Sequence, residues 1–152
     1  WLWLLVGSVR ALGCALVGVG GSVSGVSETG VMVLLEVAPY IHVRDVSDGG
    51  AEFTVRFWGT GLTDVLGFEG TGKQMREIYD GEMLGIALDG FQMVLEPAIP
   101  VLNKGKVTWV AGKEHRSFHS LVLPLAAGDG SDGGGDCEVA HLVTGLDFDP
   151  VE

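Results

Sequence analysis

Apolar and polar side chains alternate with a period of two along Pro39-Tyr40-Ile41-His42-Val43-Arg44-Asp45-Val46, and the run stops at Ser47-Asp48-Gly49-Gly50. The pattern predicts a strand closed by a tight turn. Ala51 to Trp58 alternates again, with Phe53, Val55 and Phe57 assigned to one face, so the two segments pair as a hairpin whose apolar side needs a cover. The period changes after Gly59-Thr60-Gly61. Leu62 to Leu66 and Thr71 to Tyr79 read as short helical pieces, with Thr71 as a cap and Met75, Ile78 and Tyr79 on one side. Gly81 to Leu95 reads as a longer helix, carrying Leu84, Leu88, Phe91 and Leu95 at helical spacing and stopping before Pro97. Three β-like segments follow, Leu102 to Ala111, Ser117 to Leu125 and Glu138 to Leu146. Two strands, a helical block and three strands predict an α+β domain, its helices covering one face of an antiparallel sheet.

The N-terminal residues 1–30 stand apart, with only Arg10 and Glu28 charged among Trp, Leu, Val and many glycines. Arg10 splits the apolar run, no basic region precedes it, and Ala11-Leu12-Gly13-Cys14 matches a lipoprotein cleavage box only in part. These residues read as an atypical lead-in with a flexible glycine-serine stretch, and residues 31–152, opening on the apolar run Val31 to Leu35, as one folded domain. A chain of 152 residues with 47% apolar side chains can fill one core. The formal net charge of −11 opposes binding to nucleic acid or to anionic membrane surfaces. Cys14 and Cys137 are far apart and lack neighbours at metal-ligand spacing, which points to a reducing compartment and a cytoplasmic location.

Gly67-Phe68-Glu69-Gly70-Thr71-Gly72-Lys73 has the spacing of a phosphate-binding loop. Two residues argue against it. Gln74 stands where the motif needs a hydroxyl for magnesium, and Glu69 would repel the anion. A glycine-rich connection is the preferred reading, and a nucleotide-binding enzyme using Gly67 to Lys73 the alternative. His115 and His119 straddle the start of a strand, where residues four apart lie roughly 13 Å from each other and cannot share an ion. His42 and His141 read as partly buried hydrogen-bonding side chains. The acidic glycine loop from Asp129 to Glu138 lacks the calcium-loop ligands it would need at Gly133 and Ala140, so it reads as a solvated loop. Neither a Gly-x-Ser-x-Gly elbow nor a cysteine–histidine signature is present.

Val55-Arg56-Phe57-Trp58-Gly59-Thr60-Gly61-Leu62, then Leu66-Gly67 and Gly70-Thr71-Gly72-Lys73, with the later Leu121-Val122-Leu123-Pro124-Leu125, resembles a family of small PAS-like domains found mainly in alphaproteobacteria. The likeness spans about Leu34 to Asp149, while the glycine-rich Trp1 to Gly30 departs from the family's polar lead-in. The resemblance implies a five-stranded antiparallel sheet, covered on one face by short helices and one longer helix, that encloses a small pocket. It also implies sensing or protein contact without catalysis. Flavin-binding light sensors of this fold use a cysteine in the helical block and haem-binding ones a histidine on the long helix. Leu62 to Leu95 contains neither residue, so both cofactors are disfavoured and the ligand stays unknown. Phe57, Met75, Tyr79, Phe91, Trp109 and Leu123 are expected to converge on one interior, with Tyr79, Trp109 and His141 orienting a ligand. A pocket so poor in cationic groups would favour a neutral or weakly polar molecule. The partners expected are a small molecule, a signalling protein or a second copy of the chain. The remaining alternative is a structural interaction module whose core is filled.

Overall fold

The computed structural model of the protein describes residues 37–96, 98–126 and 139–149. The atypical segment 1–30, the run Val31 to Leu35, the loop from Asp129 to Glu138 and both cysteines lie outside the described residues. A single 3₁₀ turn, Ala38–Tyr40, leads into β1 (Ile41–Ser47) and β2 (Glu52–Trp58). Three helices follow, α1 (Thr60–Leu66), α2 (Met75–Ile78) and α3 (Gly81–Leu95), then β3 (Val101–Lys106), β4 (Ser117–Ala126) and β5 (Val139–Phe148). The strands form one antiparallel sheet in the order β2-β1-β5-β4-β3. The last strand therefore lies in the middle and joins the two sequence-local hairpin pairs into one surface.

The hairpin between β1 and β2 turns through Asp48, Gly49 and Gly50, all at positive φ (51°, 64° and 92°). Gly50 makes the firmest demand for glycine through its φ, and a Cβ there, 2.5 Å from Leu95 Cδ1, would also have to displace the tip of that side chain. The Gln92 side-chain amide donates to the Gly50 carbonyl, so the turn is pinned to the C-terminal half of α3. Pro124, which has no N–H to donate, sits in β4 beyond the Val101–Val122 pair where β3 begins.

A bulge in β2 decides which residues face the core. Val43 pairs with Phe57 and Arg44 with Val55, which leaves Arg56 as an extra residue. Alternation resumes one position late. Phe53, Val55 and Trp58 share the helix-covered face, while Phe57 turns to the other face and is 44% exposed. The expectation that Phe57 joins the interior is thus corrected by one unpaired residue. Leu123 is corrected as well, because it packs with Val37 and Leu121 on the opposite side of the sheet, beside Ile41 and Val143. The main core comprises Phe53, Val55, Trp58, Leu62, Leu66, Met75, Phe91, Val94, Val107, Val122, Leu142 and Leu146.

Two boundaries also move. The strand expected to run from Leu102 to Ala111 ends at Lys106, and an irregular segment leads to β4 with Val107 N–H bonded to the Arg116 carbonyl. The helix expected to start at Thr71 starts at Met75, because Gln74 and Glu77 form a reciprocal capping box. Thr71 instead turns its hydroxyl and amide to the Glu69 carboxylate.

The bulge makes a test by paired substitutions. Phe53→Ala, at a fully buried site, is expected to cost about 3 to 5 kcal/mol of unfolding free energy, and Phe57→Ala less than about 1 kcal/mol. Urea denaturation of both variants checks this, and equal losses would contradict the register.

Candidate functional site

The helix-covered face of the sheet is not uniformly apolar. One row runs across it through Val122, Thr144, His42 and Trp58, and a second through Pro124, Leu142, Arg44 and Val55. His42 and Arg44 therefore project from β1 into the interior, and both are buried, at 3% and 2% exposure. Between this floor and α3 lies a half-open cavity of about 520 Å³. His42, Arg44, Ser120 and Thr144 are its buried polar groups; Tyr79, Phe91, Trp109 and Phe118 supply aromatic walls. The mouth lies between the exposed α3 positions Ile86, Asp89 and Met93 and the β3 segment from Asn103 to Lys106.

Arg44 dominates the electrostatics. Its Nη1 donates to Thr144 Oγ1 at 3.1 Å, and its guanidinium carbon stands 4.4 Å from the centre of the Phe91 ring. Such a cation–π contact contributes about 0.5 to 2 kcal/mol, much less than full hydration of the charge would. Among the described residues no carboxylate pairs with it, and its Nε–H has no acceptor. Burial draws the guanidinium down to about 10, with the neighbouring Tyr79 hydroxyl pushing the other way, so it stays charged at neutral pH. His42 stacks on Trp58 with ring centres 5.5 Å apart, and its Nδ1 is buried without a partner among the described residues. Burial first, and the Arg44 charge second, hold His42 well below the ordinary imidazole range, so it is neutral at pH 7.

The aromatic wall is ordered by its own contacts. Tyr79 meets Trp109 edge-on at 5.5 Å, and Trp109 meets Phe118 in the same way at 5.3 Å. Of the residues expected at the pocket, Tyr79, Phe91 and Trp109 line it. Met75 is buried in the core without lining the cavity, and Leu123 and Phe57 lie on the sheet's other side. His141 is also elsewhere, with its Nδ1 2.8 Å from Asp45 Oδ1. Arg56 Nε donates to the same oxygen at 2.6 Å, and this pair is the main reason the Asp45 carboxyl sits below its usual range, with His141 adding to it.

The pattern missed Arg44, His42, Ser120 and Thr144, so the expected poverty in cationic groups is overturned. The alternation Ile41-His42-Val43-Arg44 placed two β-branched residues on one face and two polar ones on the other, and the natural inference sends the β-branched pair inward. The signal that could have found the floor is Val46, which follows His42 and Arg44 at the same parity and packs against the main core.

The glycine loop is structural in its geometry. Gly67 N–H bonds to the Thr63 carbonyl, Thr71 N–H to Glu69, Gly72 N–H to the Val55 carbonyl and Lys73 N–H to the Gly70 carbonyl. These four amides, among those that would cradle a phosphate, are engaged within the chain. Gly70 lets the loop lie on Trp58, since a Cβ would come within 2.4 Å of the indole. Among the described residues no cluster of His, Cys, Asp or Glu could hold a metal, and no helix is long and apolar enough to cross a membrane.

Comparison with solved structures identifies the fold. The PAS domain of BvgS from Bordetella pertussis superposes with a TM-score of 0.54 at 19% identity, over 83% of this chain and 89% of that one. The Cycle PAS-B domain of Drosophila melanogaster, solved with bound ethylene glycol, gives a TM-score of 0.47 at 14% identity, over 71% of this chain and 97% of that one. A fungal LOV-domain photoreceptor gives 0.48 at 11% identity, over 88% and 98% respectively. The protein has a PAS fold, as the resemblance implied. No family model matches the chain and no curated protein matches it in sequence, so the narrower likeness to an alphaproteobacterial family gains no support.

His42 generates a pH prediction. Its proton affinity is depressed in the folded state, so below about pH 6.5 the unfolded chain takes up a proton that the folded one refuses. Stability is expected to fall from pH 7.5 toward pH 5 by up to about 1.4 kcal/mol per pH unit. His42→Phe, which keeps a ring against Trp58, should remove that component. Urea midpoints across this range check it; wild type and variant tracking each other would exclude His42 as the source.

Proposed function

We propose that this domain is a non-catalytic sensory module that takes a small molecule into the cavity between α3 and the sheet and passes its output on by protein contact. The observation that carries the reading is the cavity itself. Its volume of about 520 Å³ falls within the range typical of ligand sites, and it joins an aromatic wall to a few buried polar groups. Large side chains do not close it, although Tyr79, Phe91 and Trp109 all line it, which speaks against the filled-core alternative. The PAS fold is a supporting analogy only, because a fold does not determine what a protein does. Residues 31–152 act as the sensory unit, in the cytoplasm, with a signalling protein or a second copy of the chain receiving the signal.

The phosphate-loop reading is disfavoured by the engaged amides of Gly67, Thr71, Gly72 and Lys73 and by Glu69, which accepts hydrogen bonds from Thr71 inside the loop. Lys73 places its ammonium over the Phe68 ring at 5.3 Å.

Mass spectrometry of small molecules co-purifying with native protein, followed by thermal shift with each candidate, tests the sensory reading. A cavity ligand at one hundred times its Kd should add about 2.7 kcal/mol of stability. The shift should vanish when Trp109→Ala removes part of the wall. No co-purifying molecule, and no shift across a broad metabolite library, would point to a contact module instead.

The enzyme alternative has its own check. ATP and GTP are expected to leave the melting temperature unchanged, in wild type and in Lys73→Ala alike. Saturable nucleotide binding that disappears in Lys73→Ala would restore it.

A further inference from the structure

We infer that the cavity is a carboxylate site, and that its ligand is a small organic monoanion whose carboxylate sits against Arg44 and whose apolar body lies along Tyr79, Phe91 and Trp109. The inference rests on the reading of the cavity as a ligand site and specifies that ligand's chemistry.

Three observations carry it. Arg44 is 2% exposed, lines the cavity, and has no carboxylate partner among the described residues. A buried cation without a counter-charge is costly, and an incoming anion removes that cost while gaining a charge-assisted hydrogen bond. The guanidinium is also held for recognition. Thr144 takes Nη1 at 3.1 Å and Phe91 takes one face of the plane at 4.4 Å, so the group is oriented before a ligand arrives. The surrounding chemistry then sets the charge and size of the ligand. Thr144 holds its hydroxyl against the guanidinium, Ser120 adds a second hydroxyl to the lining, His42 is neutral, and the other lining cations, Lys104 and Lys106, stand on β3 at the exposed mouth, opposite Asp89. At the buried floor one fixed positive charge balances one negative charge, and the solvated Lys104 and Lys106 at the mouth are screened, which favours a carboxylate there over a doubly charged phosphate ester. The apolar remainder of the wall favours an aromatic or aliphatic body over a sugar.

Binding of acetate, benzoate, phenylacetate and indole-3-acetate, each against its own amide, tests the inference by calorimetry at pH 7.5. The expected result is that at least one acid binds wild-type protein roughly tenfold or more tightly than its amide, the difference a charged hydrogen bond makes. Arg44→Met should abolish that preference while the melting temperature of ligand-free protein stays the same or rises, since the variant removes an unbalanced buried charge. Arg44→Lys should keep a weakened preference for the acid, and it carries the test if Arg44→Met does not fold. Failure of both variants to fold would make Arg44 a structural cation and overturn the inference. Amides binding as well as acids would overturn it too, while leaving a neutral-ligand sensor standing. Tighter binding of phenyl phosphate than of phenylacetate would move the site to phosphoryl ligands and also overturn it. No binding by any of these probes, with neutral metabolites still giving a thermal shift, would reject the carboxylate alone. Silence from both sets would reject the sensory reading with it.

Discussion

The architecture is organised around one buried charge, the Arg44 guanidinium on the covered face of the sheet, which has no carboxylate partner among the described residues. It ties together three elements distant in sequence. β1 supplies it, β5 accepts its hydrogen bond through Thr144, and α3 covers it with Phe91. A floor built this way cannot be sealed by aliphatic side chains, because closing apolar groups over a charge strips its remaining hydration without supplying a partner. The half-open cavity beside it is the physical consequence. The apolar contacts that would normally fill such a space are displaced to either side, where Phe53, Val94 and Leu142 form dry core and Tyr79, Trp109 and Phe118 form an edge-to-face wall.

Periodicity made the element order legible, and with it the fold, because strand and helix periods depend on local geometry that every residue in a segment reports. What it could not supply was a count. Phe57 was placed in the core by an alternation that holds from Phe53 to Val55 and fails at Arg56, where β2 carries one residue more than β1 can pair. A bulge leaves no composition signal here, since Arg56 is an ordinary strand residue whose side chain ends on Asp45. Leu123 and His141 were misplaced for a related reason. Each lies in a strand with plausible side chains on both faces, and the choice between faces depends on neighbouring strands far away in sequence.

The candidate site was half legible. Its aromatic members announced themselves through size and position, and three of them stand where a pocket needs them. Its polar members were hidden by the same rule that found the sheet, because alternation alone does not say that the polar side of β1 faces inward, and His42 was read as partly buried without a place in the pocket. The glycine loop illustrates the opposite error that spacing invites. Its pattern resembles a phosphate cradle, yet a cradle needs unengaged amides converging on one point. Here Gly72 and Lys73 run along the exposed edge of β2, with Gly72 N–H and the Lys73 carbonyl bonded to Val55. Glycine spacing reports the freedom of a backbone, and the direction of its N–H groups decides the function.

The position of the floor also bears on how occupancy of the cavity would reach the surface. β1 alternates, so Arg44 faces the cavity while its neighbour Asp45 faces outward to Arg56 and His141. The Arg56 that Asp45 holds is the bulged residue of β2, next to the exposed Phe57. A displacement of β1 that repositions Arg44 must therefore move the Asp45 anchor, and through it the bulge of the neighbouring strand. Exposed ion pairs contribute little to stability, which makes this cluster easy to rearrange. The hairpin turn adds a second connection, since Gly50 is bonded to Gln92 on the helix that roofs the cavity. Floor and roof are thus linked to the same two strands, and a change in the cavity has a short mechanical route to the opposite side of the sheet.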